Sequence, residues 1–210
     1  MKETSLIIAT APALMALLLQ TAETGDAGTD TESRQSGVLM PGSAAPAVKV
    51  HSAAYVVPDV RLVRDDGREI SLPQEMNDGR PVLLNFVFTG CGSTCPLMSQ
   101  VFAEFQRRLG PSAARVHLMS ISIDPEEDTP ARLLEYAQRF GARPGWQHYT
   151  GTREASIETQ EAFGVYRGDK MSHAPATLMR AAPGQPWVRI DGLATPDDLL
   201  QEYRRLVAAK

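Results

Sequence analysis

The sequence predicts an α/β fold: one mixed sheet with helices packed on both of its faces. Three observations predict it. Residues 81–88 (PVLLNFVF) and 116–123 (VHLMSISI) are near-continuous apolar runs bounded by turn residues, the pattern of strands buried on both sides. Between them Met98, Val101, Phe102, Phe105 and Leu109 recur at helical spacing, so the segment reads strand, helix, strand, a parallel crossover unit. Residues 60–63 and 70–72 flank the turn Asp65-Asp66-Gly67 and read as a hairpin ahead of that unit.

The later elements follow from caps and periodicity. Thr129 as N-cap and Pro130 at the first helical position open a helix over about 130–140. Leu133, Leu134, Ala137 and Phe140 give its apolar stripe, and Gly141 stops it. Residues 146–149 read as a short strand and 153–163 as a weaker helix. Residues 177–180 and 187–190 read as paired strands across Pro183-Gly184. The last helix opens with Thr195 as cap, Pro196 first and Asp198 in the first turn; Leu199, Leu200, Tyr203, Leu206 and Val207 form its core face. A sheet that begins with strand–helix–strand and ends with a hairpin and a helix is the thioredoxin-like arrangement, here with an N-terminal hairpin extension.

A chain of 210 residues fits one domain plus additional segment. Its 43% hydrophobic content is enough for a proper core. The net charge of −4, without a basic patch, argues against a nucleic-acid partner. Residues 6–19 form an apolar run broken only by Thr10 and Pro12. That is short of the roughly 20 apolar residues of a membrane span and suits the core of an export signal. Residues 1–22 are therefore read as a signal peptide or, alternatively, an N-terminal anchor. Residues 23–50, rich in Gly, Ser, Thr, Ala and Pro, read as a flexible linker, and 51–210 as the folded domain. Export places the domain in the periplasm or another extracytoplasmic space, released or held at the inner membrane. No cysteine follows the apolar run to take a lipid.

The only two cysteines, Cys91 and Cys95, stand in Gly90-Cys91-Gly92-Ser93-Thr94-Cys95-Pro96, after a buried strand and before a helix. Open α/β sheets build sites at such strand ends, and a helix N-terminus favours a thiolate. Pro96 disfavours helical geometry in the residue before it, which puts Cys95 at the cap. Three chemistries are open. A structural disulfide closing five residues is worth roughly 2 kcal/mol, against about 4.7 for a hundred-residue loop, a weak use of the only pair. Thiol–disulfide exchange needs one attacking and one resolving thiol, although the spacing here is three residues rather than two. A soft-metal site suits Cu(I) but needs a third ligand.

Four histidines could supply it. His51 sits at the linker edge, His117 inside a strand, and His148 beside Trp146 and Tyr149. His173 lies in Lys170-Met171-Ser172-His173-Ala174-Pro175, the loop that a thioredoxin-like sheet sets beside the cysteine loop. It is the histidine with a structural reason to meet the sulfurs. Pro175 stands where such folds often carry a cis bond. Met171 offers a thioether, or core filling. Asp124 and Asp128 are candidates to line the site, but the favoured reading makes them ordinary turn and cap residues.

With those residues in place, positions 55–208 resemble the Sco/SenC family. The likeness is carried by FVFTGCGSTCP, by SISIDPEEDTP at 120–130, and by a histidine before the late hairpin. The resemblance implies a thioredoxin-like fold and one copper ion, Cu(I) or Cu(II), held by Cys91, Cys95 and His173. It implies a role in delivering copper, or reduced thiols, to the copper centre of cytochrome c oxidase. The alternative is an exported thiol-disulfide reductase, with Cys91 and Cys95 catalytic, that acts on a cysteine-bearing target without carrying copper. A peroxidase on the same fold fits less well, because the cysteines stand too close together. The chain departs from the family in lacking an acidic residue among Gly92, Ser93 and Thr94, in Ser172 where Asp is common, and in Pro175, which is closer to thioredoxin proper.

Overall fold

The computed structural model describes residues 48–209. The signal or anchor expected over 1–22, and the expected linker up to residue 47, lie outside the described residues; the end of that expected linker is not linker, because Lys49 and Val50 pair with a late strand at Asp191 and Ile190. In chain order the elements are β1 (Lys49–Ala53), β2 (Arg61–Arg64), β3 (Glu69–Ser71), α1 (Leu72–Met76), β4 (Val82–Val87), α2 (Thr94–Leu109), β5 (His117–Ser122), α3 (Pro130–Arg139), β6 (Trp146–Gly151), α4 (Arg153–Ala162), β7 (Ala176–Arg180), β8 (Trp187–Asp191) and α5 (Pro196–Ala208). Short 3-10 turns cover Gly110–Arg115 and Lys170–Ser172.

The strands form one sheet in the order β1-β8-β7-β4-β5-β6-β2-β3. β4, β5 and β6 run parallel, and the remaining neighbours are antiparallel. β4 and β5 are buried along their whole length, as continuous apolar runs require. Alternate residues feed two cores. On one face Val82, Leu84, Phe86, Met119 and Ile121 pack with Leu72, Met76, Phe163 and Trp187. On the other Leu83 and Leu118 pack with Phe102 and Phe105 of α2 and Leu199 and Leu200 of α5. Burying each such aromatic or leucine contributes roughly 2 kcal/mol. This is the thioredoxin-like arrangement, and the β2–β3 hairpin extends it beyond β6. Among the described residues no helix is long and apolar enough to cross a membrane.

Three local expectations change. Cys95 is not the cap of α2: Ser93 is, and Cys95 is the second helical residue. The missing N–H of Pro96 falls in the first turn, where no intrahelical partner exists for it anyway. In α3, Leu134 is exposed and Tyr136 takes its place in the buried stripe with Leu133 and Ala137. No cis peptide bond occurs among the described residues, that of Pro175 included.

Candidate metal and redox centre

The cysteine loop leaves the sheet at the end of β4. Its first turn closes when the Cys91 N–H donates to the Phe88 carbonyl at 3.2 Å. Ser93 makes no side-chain capping bond. Instead the N–H of Cys95, one of the helix's orphan donors, donates to Cys91 Sγ at 3.4 Å. A sulfur therefore does the work of a capping oxygen, at the positive end of the α2 dipole, in a first turn without acidic residues. Both cysteines are free thiols; Cys91 is half-buried and Cys95 fully buried.

That difference separates their acidities. Partial burial opposes ionisation of Cys91, but hydrogen bonds from Cys95 and Ser93 outweigh it and bring its pKa below the usual thiol value. Burial, followed by its contact with the Cys91 sulfur, pushes Cys95 up to about 12. Cys91 is thus the accessible, ionisable sulfur and Cys95 the shielded one.

A carboxylate pins the start of this loop. Asp128, fully buried, accepts from the Thr89 N–H at 3.2 Å, from the Thr89 hydroxyl at 2.5 Å and from the Ser122 hydroxyl at 2.6 Å. It joins the ends of β4 and β5 to the start of α3. Asp128 is not the cap that its place before Thr-Pro suggests; the cap of α3 is its neighbour Thr129. Asp124, also buried, pairs with Lys170 Nζ at 2.6 Å. Lys170 lies over the Phe88 ring, 5.9 Å from its centroid. This tethers the loop that carries His173.

His173 comes to the site from β7. β7 pairs antiparallel with β4, with Asn85 opposite Thr177. Counted on past the strand ends, that register aligns His173 with Thr89. The ring Nε2 lies 3.0 Å from the Phe86 carbonyl oxygen. A carbonyl only accepts, so Nε2 carries the hydrogen, and a neutral ring then holds its lone pair on Nδ1. That Nδ1 is buried and has no hydrogen-bond partner. Burial lowers the His173 pKa against the opposing Phe86 bond, with Arg167 adding to the fall, which keeps the ring neutral. The same ring lines a cleft of about 290 Å³ bounded by Pro125, Gln160 and Arg167.

The structure thus brings Cys91 and Cys95 together and docks His173 on the strand that leads into them. Among the described residues no group of three or more His, Cys, Asp or Glu side chains is arranged to hold a metal ion. The other histidines lie elsewhere. His117 and His148 are fully buried in β5 and β6, and His51 is exposed on β1. Met171 is 74% exposed, not core filler.

Comparison with known proteins accords with this architecture. The "SCO1 protein homolog" of Bacillus subtilis is 31% identical over 105 residues, 50% of this chain and 53% of that protein. The chain therefore spans about half the length of that relative. The structure of Bradyrhizobium japonicum ScoI with copper bound superimposes with a TM-score of 0.61 at 23% identity, covering 72% of this chain and 99% of that one. BsSco, described as a Sco-family cytochrome c oxidase assembly protein with a disulfide switch, superimposes with a TM-score of 0.64 at 23% identity, covering 76% and 98%. At these identities the two structures carry the fold alone. The sequence profile of SCO1/SenC matches residues 49–208, from the first residue of β1 to the last of α5, and the chain belongs to the SCO1/SenC family.

Proposed function

We propose that this chain holds Cu(I) as cargo through Cys91, Cys95 and His173 Nδ1, outside the cytoplasm, and hands it to a cysteine-bearing subunit of cytochrome c oxidase. One observation carries the reading: a neutral imidazole, anchored through Nε2 on the strand that feeds the cysteine loop, keeps a buried Nδ1 lone pair without a partner. Two thiolates and an imidazole suit Cu(I). Copper displaces the proton of each thiol as it binds, most easily at Cys91 and last at buried Cys95. For all three to hold one ion, the cysteine loop and the His173 ring must close on each other. An incoming ligand meets Cys91 first, because Cys95 is buried. Copper in the ScoI structure and the oxidase-assembly role of BsSco support the assignment.

The test is a Cu(I) competition titration of the reduced full chain. His173→Ala is expected to weaken binding roughly tenfold or more and to leave disulfide exchange nearly unchanged. Cys91→Ala is expected to abolish stoichiometric loading. Equal copper content in the parent and Cys91→Ala proteins contradicts the reading.

The acidity difference between the cysteines favours a second reading, a thiol-disulfide reductase. The Cys91 thiolate attacks a target disulfide and forms a mixed disulfide, expelling one target thiolate. Cys95 gives up its proton and attacks the Cys91 sulfur. The target leaves as a dithiol and Cys91–Cys95 becomes the disulfide.

A further inference from the structure

An open groove of about 710 Å³ lies between the outer side of α2 and the end of α3. Pro96, the residue after Cys95, marks one end; Phe140 lines its apolar part. Its charged lining is Arg107, Arg139 and Arg143 against the single carboxylate of Glu104. Glu104 is already engaged, accepting from Arg107 at 2.5 and 2.6 Å and from Arg108 at 2.6 Å. Among the described residues no carboxylate stands within ion-pair distance of Arg139 or Arg143. The C-terminal end of α3 offsets only about half a charge. A chain with net charge −4 therefore carries a local cationic surplus at the end of the groove away from Pro96.

The groove wall is also built. Gln106, 1% exposed, donates to the Arg143 and Pro144 carbonyls at 3.0 and 3.2 Å and accepts from the Arg143 N–H at 2.9 Å. A buried glutamine thus clamps the backbone of Arg143 onto α2, so binding has side chains but no backbone to order there. From Pro96 to Arg107 the helix rises about 16 Å, the length of about five extended residues.

We propose that this groove docks an extended acidic segment of the protein that receives the copper. The proposal rests on the copper-handover reading above. Carboxylates on the segment would meet the Arg139 and Arg143 guanidinium groups in paired hydrogen bonds. The segment's far end would then lie against Pro96, with its own ligands at Cys91. Charge steering of this kind acts chiefly on the association rate and falls with salt.

The test uses the full reduced chain, with fluorescein-labelled hexaglutamate as probe and labelled hexaglutamine as neutral control, followed by anisotropy and by NMR of the arginine side chains. Hexaglutamate is expected to bind, to shift the Arg139 and Arg143 resonances, and to weaken as salt rises. Arg139→Glu with Arg143→Glu is expected to reduce binding at least about tenfold, and the double Gln variant by less. Equal hexaglutamate binding by the parent and the charge-reversed chain overturns the proposal. So does binding to vesicles containing phosphatidylglycerol, sensitive to the same substitutions, with none to hexaglutamate. Cu(I) stoichiometry is read on the same samples. Full copper loading in the charge-reversed chain, with peptide binding lost, supports the groove. Absent copper loading in the parent, with peptide binding intact, removes the handover reading and leaves the acidic-segment site supported.

Discussion

The backbone N–H and the hydroxyl of Thr89 both donate to the carboxylate of Asp128, 39 residues further along the chain. Thr89 is two residues before Cys91, so this bond sets where the cysteine loop leaves the sheet. Asp128→Ala leaves that N–H and two hydroxyls, those of Thr89 and Ser122, without their acceptor. It is expected to destabilise the domain by about 3 kcal/mol, since each buried unsatisfied group costs about 1 kcal/mol or more. Asp128→Asn, which keeps one acceptor oxygen, is expected to lose less. Urea unfolding measures both. Hydrogen exchange should show the added opening concentrated at residues 89–95.

The two thiols should react very differently. Cys91 is half-exposed with a lowered pKa, and Cys95 is buried with a pKa of about 12. At pH 8 Cys95 is then a thiolate roughly once in ten thousand molecules. Iodoacetamide under native conditions, followed by peptide mass mapping, is expected to label Cys91 and spare Cys95 until the chain is unfolded. Equal labelling of both would contradict the assignment of Cys91 as the entry sulfur.

Acid sensitivity should begin at the histidines. Burial lowers the His117 pKa below 6.5, helped by Arg80, against the opposing carboxylates of Asp78 and Glu75. Its Nε2 lies 2.9 Å from the hydroxyl oxygen of Tyr149, which donates to Glu75. With a depressed folded-state pKa, the unfolded chain takes up the proton first. Stability is therefore full above about pH 6.5 and falls as the pH drops toward the folded-state value. His173 acts in the same direction. Unfolding free energy measured from pH 7.5 to 5 should decline, and His117→Gln should flatten that slope whatever it does to stability at pH 7.5. An unchanged slope would refute the attribution.

The caps offer a smaller test. Thr195 accepts from the Asp198 N–H at 3.2 Å, and Asp198 accepts from the Thr195 N–H at 2.8 Å. Thr195→Ala is expected to lower stability by about 1 kcal/mol, readable as a shift in the urea midpoint.

These elements differ in how plainly the sequence announces them. The strands β4 and β5 were legible because both their faces are buried, which leaves a run of apolar letters. Thr129 and Thr195 were legible because capping is local chemistry. Strand β1 was not. It is an edge strand with four exposed residues of five, and its partner β8 lies more than 130 residues away. Within β4, Asn85 passed unnoticed among apolar neighbours. It accepts from Ser120, which accepts from the Trp146 indole, a row visible only once three strands are aligned. Of the site, the placing of the cysteine pair between β4 and α2 followed from the order of elements, whereas the hold of His173 on the Phe86 carbonyl needed the coordinates. The role of Asp128 did not, because a carboxylate before Thr-Pro reads as a cap residue until the ends of β4 and β5 are seen to converge on it.

The most direct measurement is copper K-edge absorption of the reduced full chain loaded with one Cu(I), compared with His173→Ala. The account predicts two sulfur neighbours and one nitrogen in the parent protein, with the nitrogen lost in the variant and both sulfurs kept. Identical copper environments in the two proteins would contradict it.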